Sequence, residues 1–250
     1  MTPTAVTWGV VLLLAFISGL TTLAGVALGL RFGRSAGMVS AGIGFSAGIM
    51  VLVSLRDLLP AALVAVPAAR AWGAVAVGAG LLAVLHVVIP HIHLVEERGR
   101  RDTASLRTSY LVALGLALHD FPEGVAMANA YLEAPSLGLL VFWAIALHNV
   151  PEGFAMAVPA AIDRRRSLAA AAVGASLSQP AGTILGLAVS HAGPGLNALF
   201  MAVAAGAMLF VSLHELLPMA LRSGRLHLFG AGLALSLPVY VLLDLLIPGR

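Results

Sequence analysis

The chain has 250 residues, 60% of them hydrophobic and only 10% charged, and its mean hydropathy of +1.00 excludes a soluble domain: lipid is the solvent for most of it. It contains no cysteine, which rules out disulfides and thiolate metal sites, and its formal net charge of +3 rests on fourteen arginines with no lysine. Those arginines lie in short clusters between apolar runs rather than along one stripe, so they describe membrane topology and exclude nucleic acid as a partner.

A hydrocarbon core takes about 20 apolar helical residues to cross. Eight segments are long enough, at roughly 5–30, 37–60, 69–90, 108–131, 135–161, 167–190, 195–221 and 226–248, and the breaks between them hold the Gly, Pro and charge that loops require. The expectation is an all-α, polytopic membrane protein forming a single transmembrane domain over residues 1–250. Segment 1 has no basic residue before it, lacks the charged start of a cleaved signal and is expected to be retained. Segment 2 contains AGIMVLVSLRDLLPAAL, residues 47–63, which returns in segment 7 as AGAMLFVSLHELLPMAL, residues 205–221. Five spans separate the copies, an odd number, so they point in opposite directions across the bilayer. That is an inverted-topology repeat, the construction from which many secondary transporters build alternating access. Asp57 and the His214–Glu215 pair occupy matching places in the two copies and are candidate stations on a permeation pathway. His86, His91 and His93, at the end of segment 3 and in the loop after it, are candidates for collecting a released metal.

Segments 4 and 5 carry the densest chemistry. ALHDFPEGVAMA, residues 117–128, is repeated as ALHNVPEGFAMA, residues 146–157. Positions four apart on a helix differ by about 40° in azimuth and about 6 Å in rise, so His119 and Glu123 share a face, as do His148 and Glu152, with Asp120 and Asn149 at its edge. A carboxylate in mid-membrane costs roughly 2.5–3.5 kcal/mol on insertion scales, and no arginine lies between Arg107 and Arg164 to offset it. A divalent cation does offset it, because two carboxylates and two neutral imidazoles around it come close to neutrality. Imidazole with carboxylate suits Zn²⁺, Fe²⁺, Co²⁺ or Mn²⁺, whereas an all-oxygen shell suits Ca²⁺ or Mg²⁺. Zinc is the favoured cargo, with Fe²⁺, Mn²⁺ and Cd²⁺ as further candidates. Pro122 and Pro151 cannot donate to the carbonyls of Leu118 and Leu147, so each helix is expected to kink one turn from the ligands. Asp120 and Asn149 add a second candidate ion position if the two glutamates bridge.

Eleven arginines fall in the odd loops against three in the even loops and termini, which predicts both termini outside, in a cell inner (plasma) membrane, and the HIHLVEERGRR loop in the cytoplasm. GxxxG at Gly25/Gly29 and Gly182/Gly186 permits close helix contact and leaves a homodimer open.

HDFPEG and HNVPEG on consecutive helices, eight spans with outside termini and a histidine-bearing third loop resemble the ZIP family of divalent-metal transporters, closest to its bacterial, GufA-like members, over essentially the whole chain. The resemblance implies that helices 1, 4, 5 and 6 carry the metal, that helices 2, 3, 7 and 8 form a scaffold, and that an elevator-like movement alternates access. It also implies metal ligation by His119, Asp120 and Glu123 and by His148, Asn149 and Glu152. One position departs: where similar proteins often bring a glutamate from helix 6 to a second metal, this chain has Gln179 in SLSQPAG, which keeps an oxygen but loses a charge. The expected function is transport of a divalent transition metal into the cytoplasm by alternating access, with no enzymatic activity. The alternative is an intramembrane metal-dependent hydrolase using the same His and Glu residues to activate water. No HExxH motif is present, and a hydrolase has no use for an inverted repeat.

Overall fold

The computed structural model describes residues 4–32, 35–88, 106–157, 172–190 and 193–247. Within them lie eight helices and no strand. They are α1 (Ala5–Phe32), α2 (Ala36–Leu52, continuing through Val53–Leu58 and Leu59–Ala65), α3 (Ala68–Val88) and α4 (Leu106–Glu133). After these come α5 (Pro135–Ala157), α6 (Ala172–Ser190), α7 (Pro194–Val211, continuing through Ser212–Leu216 and Leu217–Ser223) and α8 (Leu226–Leu246). Seven of them are long and apolar enough to cross a membrane; the other, α4, carries Arg107, Asp120, Glu123 and Glu133 along its 28 residues. Eight helices thus follow one another in the expected order.

The helix ends follow from local chemistry. Ser35 caps α2 by accepting from the Met38 amide at 3.3 Å. Val66, forced out of helical geometry by Pro67, is extended (φ −137°, ψ 156°) and ends α2. Gly224, at φ 65° in the left-handed region, closes α7 and turns the chain into α8.

The repeated VSLxxLLP stretch does the same thing twice. In each copy the helix widens into a π turn, Val53–Leu58 in α2 and Ser212–Leu216 in α7, where Leu59 N–H donates to Ser54 and Leu217 N–H to Ser212, five residues back. The cause is the proline that follows. Pro60 and Pro218 have no N–H for the carbonyl four residues earlier, and their rings crowd it, so the ladder takes up one extra residue. Asp57 and Glu215 sit inside these widened turns.

Lipid offers helices no hydrophobic reward for meeting, so association depends on close approach. Four helix pairs make the most extensive contacts: α1 with α5, α4 with α6, α2 with α8 and α3 with α7. Each is a crossing of reciprocal glycines, where an added methyl would overlap the facing carbonyl oxygen. Gly25 lies over Val150 and Gly153 over Thr22; Gly124 over Gln179 and Gly182 over Phe121. In the other four helices Gly44 lies over Phe229 and Gly232 over Ala41, and Gly78 over Val203 and Gly206 over Val75. The repeat relates helices five apart (α1 with α6, α2 with α7, α3 with α8) and exchanges α4 with α5; applied to the contacts it converts α1·α5 into α6·α4 and α2·α8 into α7·α3, so the packing obeys the repeat read from the sequence. The glycines of both GxxxG pairs are used inside the chain, since Gly29 packs on Phe154 and Ala157, and Gly186 on Ala128.

Candidate metal centre

The two PEG motifs are placed by their own glycines. Gly124 and Gly153 are crossing points of α4 on α6 and of α5 on α1, and the residue before each is a glutamate. Glu123 and Glu152 are thereby fixed beside close helix contacts, with 0% and 4% exposure. Both helices run on through Pro122 and Pro151. In the turn before Pro151, Ser46 of α2 donates its hydroxyl to the His148 carbonyl at 3.0 Å.

His148, fully buried, joins them. One ligand atom from each of Glu123, His148 and Glu152 lies within 4.8 Å of the other two, and the His148 Nε2 to Glu123 Oε1 separation is 3.1 Å. The other ring nitrogen, Nδ1, is 3.0 Å from the Ala144 carbonyl. A carbonyl only accepts, so Nδ1 carries the hydrogen, and in the neutral imidazole the Nε2 lone pair points at the two carboxylates. This is how a metal-binding imidazole is usually oriented, one nitrogen donating to a fixed acceptor and the other presented to the ion.

What the carboxylates lack is as telling as what they have. Glu123 Oε2, both oxygens of Glu152, both oxygens of Asp120 and Asn149 Oδ1 are buried without a hydrogen-bond partner. Unpartnered buried polar atoms are rare and costly, and buried anions more so. Among the described residues no arginine forms an ion pair with Asp120, Glu123 or Glu152; Arg56 pairs instead with Asp244, at 3.5 Å. The donor set of one imidazole and carboxylates, closed off from water, fits a divalent transition metal.

His119 is oriented differently from the sequence expectation of two imidazoles at one ion. Its Nε2 lies 2.8 Å from Glu215 Oε2 of α7, and the other Glu215 oxygen is 3.2 Å from Nδ1 of His86 on α3. His214 stacks on Phe210 with centroids 4.7 Å apart and meets the edge of His86 at 5.0 Å. His86, His119, His214 and Glu215 thus form a second polar cluster beside the first. Helical periodicity places His119 and Glu123 on one face but does not say which neighbour each side chain reaches, and Glu215 is remote in sequence.

Gln179 is buried and engaged. It donates from Nε2 to Ser18 Oγ at 3.1 Å and accepts from Asn149 Nδ2 at 3.5 Å, while the same Asn149 amide reaches Ser18 Oγ at 3.3 Å. Ser18 of α1 is the hub of this network, and sequence reasoning missed it. Its signal was a stripe of small and polar residues, Ser18, Thr22 and Gly25, on one buried face of α1. Asp57 is enclosed, with 2% exposure, and accepts from the Tyr240 hydroxyl at 2.6 Å. Tyr240 was likewise missed. His91 and His93 lie outside the described residues.

The family model described as ZIP Zinc transporter matches residues 91–238. A protein of Corynebacterium glutamicum named Zinc transporter ZupT is 35% identical, the alignment covering 90% of this chain and 96% of that one. Proteins of the same name are 36% identical in Corynebacterium aurimucosum, over 90% of this chain and 92% of the relative, and 35% identical in Shigella dysenteriae, over 84% and 86%. The buried His/Glu centre at a doubled PEG motif, the helical repeat and these similarities agree: the chain belongs to the ZIP family of metal transporters.

Proposed function

We propose that this protein is a multi-pass plasma-membrane transporter that carries divalent transition-metal ions, zinc first and Fe²⁺, Mn²⁺ or Cd²⁺ at lower preference, into the cytoplasm by alternating access. The observation that carries the reading is the Glu123–His148–Glu152 triangle with its unpartnered carboxylate oxygens. The metal is cargo, held by His148 Nε2 and one oxygen from each glutamate, with Asp120 alongside. Three protein ligands leave a tetrahedral ion one open position, which suits a site that must release what it binds. Coulomb attraction between a doubly charged ion and two carboxylates brings the loaded centre near neutrality and removes most of the cost of the empty one.

Two features support movement rather than fixed binding. The glycine crossings divide the helices into α1, α4, α5 and α6, which bear the centre, and α2, α3, α7 and α8, which do not. The His119–Glu215–His86 chain leads from the centre toward the end of α3, which the arginine asymmetry assigns to the cytoplasm; the same rule puts both termini outside. Asp57, the counterpart of Glu215 in the repeat, is held by Tyr240. Gln179, tied to Ser18 and Asn149, favours a single ion. The hydrolase alternative is dropped, because the family is one of transporters.

The test is zinc uptake into proteoliposomes by wild type and Glu152→Ala. Loss of uptake in the variant is expected, and equal rates would reject the assignment.

A further inference from the structure

The α4–α5 connection is a single residue, Ala134, between the end of α4 at Glu133 and the start of α5 at Pro135. Gly138 of α5 packs on Tyr131 of α4 so closely that a methyl group would overlap its Cα and Cβ. The corner is therefore stiff, and both motif-bearing helices must move with it. Hydrogen bonds tie it to α7. Asn197, in the first turn of α7, donates from Nδ2 to the Asn129 carbonyl at 3.2 Å and to Glu133 Oε2 at 3.3 Å. Asn197 and Asn129 are buried, at 7% and 0% exposure. The amide orientations are unambiguous, because the Asn129 Nδ2 donates to Val125 O at 2.8 Å and each acceptor is an oxygen. Both Oδ1 atoms are left buried without a donor. The contact joins the helices that bear the metal centre to those that do not, at the end opposite the His86–Glu215 cluster. The repeat gives it no polar equivalent on α2: the aligned position is Val39.

We propose that Asn197 is a gating residue: its two hydrogen bonds to the α4–α5 corner latch the outer end shut, and they must break in every transport cycle for metal to reach the centre from outside. This rests on the alternating-access reading above. An interaction that only stabilised the fold would have no need to open.

The native chain has no cysteine, so a pair can be placed without background. In Glu133→Cys/Asn197→Cys, a short bis-thiosulfonate cross-linker is expected to join the two positions and reduce zinc uptake at least tenfold in proteoliposomes, with reductant restoring the rate before cross-linking. Zinc binding by the cross-linked protein in detergent should persist. Undiminished uptake by verified cross-linked protein would overturn the latch, and so would failure of the two cysteines to cross-link. A second measurement is independent of the pair. Asn197→Asp sets a carboxylate against Glu133, and should raise labelling of a cysteine at the buried Ala130 position by an impermeant thiol reagent added outside at least threefold over the same cysteine with Asn197 intact. An unchanged labelling rate would also overturn it. Absence of uptake by the cysteine-free native chain would instead defeat the transport reading, which separates the two failures.

Discussion

Replacing Gly153 by alanine should destabilise this protein, although alanine is the better helix former. In an unhindered helix the change gains about 0.5–1 kcal/mol. Here the new methyl would overlap the Thr22 carbonyl oxygen of α1 and crowd the Val26 amide. These are backbone atoms that no rotamer change can remove, and overpacking of a close contact costs about 1–3 kcal/mol. The expected net loss is about 1–2 kcal/mol, or a fall of about 2–8 °C in melting temperature at 2–4 °C per kcal/mol for a chain of this size. Because Glu152 precedes Gly153, zinc affinity should fall as well. Gly80→Ala is the control: nothing lies within 4 Å of a Cβ there, and its melting temperature should be unchanged or up to about 4 °C higher. Gly124→Ala should copy Gly153→Ala, since the repeat places it over Gln179 in the same way. Thermal melts in detergent decide the matter. Gly153→Ala melting at or above the wild type would refute the crossing as the device that sets the centre.

Two other outcomes follow from the neighbours of the triangle. Gln179→Glu replaces an amide that donates to Ser18 with a carboxylate facing Asn149, and should raise bound zinc from one toward two ions per chain by elemental analysis; a stoichiometry held at one would contradict it. Glu215→Gln weakens the ties to His119 and His86 while leaving the triangle intact, so zinc affinity should stay within about threefold while uptake falls at least tenfold. Equal losses in both would place Glu215 in the primary site instead.

The spans, their number and the inverted repeat were legible in the sequence because lipid imposes long apolar runs and because VSLRDLLP and VSLHELLP are near copies. So were Glu123, His148 and Glu152 as candidate ligands, since carboxylates without arginines in an apolar helix call for a compensating cation. The direction of His119 was not legible: azimuth on one helix does not identify the partner helix, and its acceptor lies 96 residues away. The glycine of each PEG motif was read only as part of a pattern, yet it supplies the crossing that holds the glutamate beside it. Nor was Ser18 legible, because a serine on a small-residue face signals packing as readily as hydrogen bonding. Asp57 looked like a twin of Glu215 from the repeat. Its surroundings differ because α8 offers Tyr240 at 2.6 Å where α3 offers Glu215 a histidine, His86 at 3.2 Å.

X-ray absorption at the zinc edge, on protein loaded with one ion per chain, tests the central claim most directly. With His119 held by Glu215 and His148 Nε2 facing the two glutamates, the spectrum should show one imidazole among oxygen ligands, and His148→Ala should remove the imidazole signal. Two imidazoles in the wild type, or an imidazole signal that survives in His148→Ala, would contradict the account.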